Sequence, residues 1–148
     1  MMKLSTKTRY ALRAMVELAC RGGEGPVQLR QIAKAQNLSP KYLEQLTVSL
    51  RNAGLINSER GPNGGYWLAR PAGQITALDV VRAAEGPLTL LDCLTRSSAC
   101  ERSSSCVARR LWAKVSLAIS DTLARVTLAD LRDEQMAASS SQAFCYQI

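Results

Sequence analysis

Histidine is absent from the 148 residues, phenylalanine occurs once, and aromatic residues make up only 5% of the chain. Without an imidazole, triads that need an imidazole base and most catalytic zinc sites are excluded. No nucleophile–base pair is recognisable either, so an enzyme is not expected. No apolar run approaches the roughly 18 residues of a membrane span. The N-terminal stretch is charged and amphipathic, without the continuous apolar core of a secretory signal. Five cysteines, an odd number in a chain with no export signal, argue against a disulfide framework. These absences predict a cytoplasmic protein without membrane contact, built as one small domain with at most an appended helical module.

The charge present is unevenly placed. The formal net charge is +7, and all of that excess lies in residues 1–74, which carry eleven Lys or Arg against four Glu. Residues 75–148 carry eight of each sign. A local basic excess suits a polyanionic partner, because Lys and Arg displace the counterions condensed on phosphates.

Apolar spacing and breakers predict a helix over 6–20, closed by Gly22-Gly23-Glu24-Gly25-Pro26. A short helix follows from Leu29 to Gln36, then a tight Asn37-Leu38 turn. Ser39-Pro40 has the form of an N-cap followed by proline at the first helical position. The third helix runs to about Asn52, with Leu43, Leu46 and Leu50 as its buried stripe. Two short helices joined so tightly form a helix-turn-helix. Residues 55–60 and 66–70 are strand-like, and Gly61-Pro62-Asn63-Gly64-Gly65 supplies a hairpin tip. A helix-turn-helix followed by such a hairpin is a winged helix.

In that architecture the second helix enters the major groove. Its outward residues are Ser39, Lys41, Tyr42, Glu44, Gln45, Ser49 and Asn52. Gln can pair with adenine and Glu can accept from cytosine, while Lys and Tyr suit phosphates. The wing contributes Arg60, Gly61, Asn63, Gly64, Gly65 and Tyr66, its glycines allowing a backbone to approach a phosphate closely. Double-stranded DNA is the expected partner.

Thr76 and Asp79 form a capping pair for a fourth helix, which Gly86-Pro87 ends. From Cys106 to about Met136 there is neither Gly nor Pro. The apolar positions Val107, Leu111, Trp112, Val115, Ile119, Leu123, Val126 and Leu131 predict one amphipathic helix of about 45 Å. So long a helix needs a partner for its apolar face, and a second copy of the chain is the natural one. The fold class is mainly α: a winged helix-turn-helix with a two-stranded wing plus a long C-terminal dimerisation helix. The expected division is 1–74 for DNA binding, 75–136 for a cysteine loop and dimer helix, and 137–148 for a flexible polar tail. A homodimer would read a partly palindromic site.

Cys93, Cys100 and Cys106 lie within one segment, spaced C-x6-C-x5-C around a polar loop, while Cys20 and Cys145 stand alone. Zinc sites favour closer pairs. Three thiolates on a loop able to wrap a larger object suit an iron–sulfur cluster better. Redox-active or incidental thiols are the alternative reading.

Leu4-Ser5-Thr6-Lys7 with Arg9-Tyr10-Ala11, Tyr42-Leu43-Glu44-Gln45-Leu46, and Arg60-Gly61-Pro62-Asn63-Gly64-Gly65-Tyr66 together resemble the Rrf-two (Rrf2) family of winged-helix transcriptional regulators, over roughly residues 2–136. The presence of Cys93, Cys100 and Cys106 makes the chain similar to the iron–sulfur branch, that of the IscR, NsrR and RirA type. The cysteine-metabolism members lack this triad. The resemblance implies a homodimeric, operator-binding regulator, more often a repressor, with a two-iron or four-iron cluster (2Fe–2S or 4Fe–4S) on those three cysteines. It implies that cluster state, set by iron–sulfur, redox or nitric oxide conditions, alters DNA binding. Arg109 stands where one branch has a histidine ligand, and Arg9 where another has an aspartate. Neither arginine suits iron. Glu101, Asp92, Cys145 or an exogenous ligand remain for the fourth position.

Overall fold

A computed structural model describes residues 4–145, with side-chain burial given to residue 142. Helix α1 (Thr6–Cys20) begins at Ser5, whose hydroxyl accepts from the Thr8 N–H. Helices α2 (Leu29–Gln36) and α3 (Pro40–Asn52) follow at their expected positions. Asn37 takes the left-handed conformation (φ 52°) that turns the chain between them. Strands β1 (Ile56–Glu59) and β2 (Gly65–Leu68) pair antiparallel, Ile56 opposite Leu68 and Glu59 opposite Gly65. Helix α4 (Ala77–Glu85) starts at the expected reciprocal cap. The Thr76 hydroxyl accepts from Asp79 N–H at 3.1 Å, and the Asp79 carboxylate accepts from Thr76 N–H at 3.0 Å.

Alternating small and large residues on α1, Ala11, Ala14, Met15 and Leu18, let neighbouring helices approach it closely. Around them pack Leu43, Leu46 and Leu50 of α3, Ile56 of β1, and Ile75 and Val80 at the start of α4, each no more than 1% exposed. The core is continuous across residue 74, because Ile75, Val80 and Leu128 belong to the same cluster as the helix-turn-helix leucines.

Beyond α4, a short helix α5 (Asp92–Thr95) and a 3-10 turn (Ser97–Ala99) lead into helix α6 (Val107–Arg125). Here the structure corrects the single long helix expected over 106–136. The chain breaks at Val126-Thr127 and restarts as α7 (Leu128–Cys145). No glycine or proline causes the break. The Asp130 carboxylate accepts from Thr127 N–H at 2.8 Å, and the Thr127 hydroxyl accepts from Asp130 N–H at 3.2 Å. This capping box starts a new helix. The freed backbone pairs elsewhere: Ala77 N–H donates to Val126 O at 2.8 Å and Leu128 N–H to Ile75 O at 2.9 Å. Leu128, 0% exposed, then pins α7 against the core, and α7 lies along α1 rather than continuing outward.

Residues 137–145 extend α7, and residues 146–148 of the expected tail lie outside the described residues. Ser139, Ser140 and Ser141 donate their hydroxyls to the carbonyls of Gln135, Met136 and Ala137, four residues back, at 2.9–3.1 Å. A serine run that bonds its own helix in this way does not interrupt it. Among the described residues, no helix is long and apolar enough to cross a membrane.

Candidate nucleic-acid interface and cysteine loop

A hydrogen-bonded chain holds the helix-turn-helix to α1. Arg13 Nε donates to Gln36 Oε1 at 3.0 Å, and its terminal nitrogen donates to the Gln36 carbonyl. Gln36 Nε2 in turn donates to Glu17 Oε2 at 2.9 Å, and Arg21 Nε meets the other Glu17 oxygen at 2.6 Å. The end of α2, and with it the turn into α3, is thus fixed by charge-assisted bonds.

The opposite faces of α3 differ sharply. Leu43, Leu46 and Leu50 are buried, whereas Ser39, Lys41, Glu44, Gln45 and Asn52 are exposed. Ser39 occupies the N-cap with extended backbone, but its hydroxyl makes no cap bond and stays free. Ser49 and Tyr42 are half-buried, and Tyr42 stacks edge-on against Tyr10 with centroids 5.7 Å apart. Arg13 lies over the Tyr10 ring at 5.7 Å.

In the wing, Arg60, Gly61 and Asn63 project into solvent. Gly64 and Gly65 answer to the fold itself. A Cβ on Gly64 would lie 2.2 Å from the Glu59 carbonyl oxygen, and one on Gly65 would lie 2.5 Å from the Val27 oxygen. Val27 crosses here as a third strand-like contact, exchanging bonds of 2.9 and 2.8 Å with Tyr66. Tyr66 is half-buried, and its hydroxyl accepts from Thr47 of α3 at 3.5 Å. Gln28 Nε2 donates to the Pro62 carbonyl at 3.3 Å, tying the wing tip to the start of α2. Arg51 Nη1 reaches Ser58 Oγ at 3.3 Å. The roles of Val27, Gln28 and Arg51 are not marked by motif or periodicity. For Gln28 alone a signal exists in the pair Gln28–Gln31, where the Gln31 side chain accepts from the Gln28 N–H at 3.1 Å.

Cys93 lies in α5, Cys100 follows the 3-10 turn, and Cys106 is the N-cap of α6. All three are free thiols, Cys100 exposed and the others half-buried. Among the described residues, no three Cys, Asp or Glu side chains stand close enough together to hold a metal ion. The three thiols do not converge in this conformation. Arg109 Nε donates to the Cys93 carbonyl at 3.0 Å, binding α5 to the first turn of α6. Asp92 and Glu101 are exposed on the same loop. The Cys145 side chain lies outside the described residues. Cys20 is separate, at the end of α1, where burial and then Glu17 push its thiol pKa up and keep it protonated.

At the other end of α4, Glu85 accepts from the hydroxyls of Thr8, at 2.6 Å, and Ser5. These bonds hold its carboxyl below the usual carboxylate range. The segment entering the cysteine loop is thereby anchored to the start of α1.

A helix-turn-helix with an exposed polar face on α3, followed by a two-stranded wing that exposes Arg60, defines a DNA-binding transcriptional regulator of the winged-helix class. Comparison with known proteins makes this specific. Residues 4–134 match the Rrf2 family, described as an iron-dependent transcriptional regulator. The chain is 45% identical to the HTH-type transcriptional regulator CymR of Bacillus subtilis, over 88% of this chain and 89% of that protein. It is 38% identical to the HTH-type transcriptional regulator IscR of Xenorhabdus nematophila, over 90% and 81%. The structure of CymR, the global cysteine regulator of B. subtilis, superposes with a TM-score of 0.76 at 43% identity, covering 90% of this chain and 98% of that one. T. potens IscR superposes with a TM-score of 0.76 at 41% identity, covering 93% and 90%. The chain belongs to the Rrf2 family of transcriptional regulators, which are not enzymes.

Proposed function

We propose that this regulator binds operator DNA as a homodimer and adjusts its affinity through an iron–sulfur cluster held by Cys93, Cys100 and Cys106. The observation that carries the reading is the position of these three free thiols. They run from α5 to the N-cap of α6, with Cys100 exposed and Cys93 and Cys106 half-buried. An iron–sulfur cluster bound there supplies iron sensitive to oxidants and to nitric oxide.

The chain's own residues provide the rest. Ser39, Lys41, Tyr42, Glu44 and Gln45 present the reading face, and Arg60, Gly61 and Asn63 of the wing reach flanking phosphates. Gly64, Gly65 and Tyr66 set the wing's shape. Helix α6 leaves Val107, Leu111, Trp112 and Leu117 between 42% and 75% exposed, and a second copy covers part of this apolar surface. Arg109 couples the loop to α6 through the Cys93 carbonyl, while Glu85 couples α4 to α1. A rearrangement of the loop therefore acts on the dimer helix and on the helix packed beneath α3. A tenfold change in operator affinity needs only about 1.4 kcal/mol between the two loop states. The protein acts in the cytoplasm, as a repressor, with Asp92, Glu101 or an exogenous ligand at the remaining iron position.

A second reading has its own support, the 45% identity to CymR, the global cysteine regulator of B. subtilis. In that reading the three thiols respond to oxidants directly, without iron. Anaerobic purification distinguishes the two. The cluster reading predicts a brown protein with charge-transfer absorption, containing iron and acid-labile sulfide, both lost in Cys93→Ala. A colourless anaerobic protein that shifts DNA and responds to peroxide would favour thiol chemistry alone.

A further inference from the structure

Helix α3 carries one residue that neither the core nor its polar face explains. Val48 is 47% exposed, whereas the other aliphatic side chains of α3, Leu43, Leu46 and Leu50, are no more than 1% exposed. At about 100° per residue, Lys41, Glu44, Gln45, Val48 and Asn52 fall within an arc of roughly 100°. Val48 sits inside that arc, between Glu44 and Gln45. The spacing of Lys41, Glu44, Gln45 and Val48 is i, i+3, i+4, i+7, the pattern by which a helix in the major groove brings four side chains to base edges.

A single exposed aliphatic residue is ordinary on a protein surface. The site of this one is not ordinary. Among α2 and α3, Val48 is the one large apolar residue left exposed. Its β-branch also lowers helix propensity, so it does not help α3 to form. Four Lys, Glu, Gln or Asn side chains surround it, and none of them can recognise the one apolar feature of the major groove, the C5-methyl of thymine.

We propose that Val48 is a specificity-determining residue that packs on a thymine C5-methyl group in each half-site of the operator. This rests on α3 being the reading helix. Lys41, Glu44 and Gln45 read or hold polar edges on either side, and Val48 excludes water from the methyl between them. Burying a methyl-sized group is worth about a fourfold change in affinity.

The test uses the full-length protein and an operator obtained by selection from random duplex DNA. Each thymine in a half-site is replaced in turn by deoxyuridine, which removes only the methyl, and binding is followed by fluorescence anisotropy. One position per half-site should show about fourfold weaker binding by the native protein. Val48→Ala should bind the thymine operator about fourfold more weakly and be indifferent to methyl removal at that position. Its affinity for unrelated DNA should be unchanged. Val48→Ala retaining the native methyl sensitivity would overturn the assignment, as would an operator without a methyl-sensitive thymine. Gln45→Ala, run alongside, separates the two levels. Altered base preference in Gln45→Ala with none of the expected effects in Val48→Ala overturns the role of Val48 alone. No altered preference in either overturns α3 as the reading helix.

Discussion

Replacing Gly65 by alanine separates two roles a wing glycine can have, shaping the hairpin or admitting a phosphate. The added Cβ would lie 2.5 Å from the Val27 oxygen, 2.6 Å from its carbonyl carbon and 2.9 Å from its nitrogen. Ordinary contact distances require these backbones to part by about 1 Å. That separation breaks the reciprocal bonds of 2.9 and 2.8 Å between Val27 and Tyr66. Two such bonds, at about 0.5–1.5 kcal/mol each, set the loss at about 1–3 kcal/mol. Urea unfolding followed through Trp67, with Trp112→Phe in the background, measures it. Operator binding, measured where the variant is fully folded, should fall at least about tenfold through the displaced wing, or about 1.4 kcal/mol. Gly61→Ala is the comparison. Gly61 has φ 120° with nothing within 4 Å of its would-be Cβ, so it meets backbone strain without a clash. Gly65→Ala with native stability and lost DNA binding would show instead that the glycine serves the phosphate and not the fold.

Leu128→Ala empties a fully buried site beneath α7 and should cost about 2.7–5 kcal/mol by urea denaturation; a loss under about 1 kcal/mol would mean that α7 is not anchored to the core. Arg60→Ala should weaken binding to all sequences and reduce the slope of log affinity against log salt by about 1, leaving base preference intact. Glu85 has its pKa lowered in the fold by Ser5 and Thr8, so its contribution is full above its ordinary value of 4.5 and disappears as pH falls through the lower folded value. Thr8→Val should therefore narrow the stability difference between pH 6 and the acid limb, which acid unfolding curves of the two proteins would reveal.

The winged helix-turn-helix was legible because each boundary is marked by local chemistry. Gly22–Pro26, Ser39-Pro40, Asn63-Gly64 and Thr76–Asp79 punctuate the chain, and the apolar spacing between them has a helical or strand period. The α6–α7 break was not legible from glycine or proline. Its signal was Thr127-x-x-Asp130 behind the β-branched Val126, a capping pair embedded in an unbroken apolar periodicity. Tertiary partners decide in its favour, since Ile75 and Ala77 take up the released backbone groups and Leu128 is buried. The exposed face of α3 could be read from periodicity. The pinning of the wing by Val27 and Gln28 could not, because a one-residue bridge has no repeating pattern. For the cysteines, spacing places three thiols on one loop but cannot state whether that loop draws them together.

We propose that the state of the cysteine loop sets operator affinity. Its most direct test is anaerobic anisotropy binding to one selected operator, before and after iron and sulfide are loaded, in the native protein and in Cys93→Ala/Cys100→Ala/Cys106→Ala. Loading should change the affinity of the native protein at least about tenfold, equivalent to about 1.4 kcal/mol, and leave that of the triple variant unchanged. Equal affinities in the native protein, or a triple variant that responds as the native protein does, would contradict it.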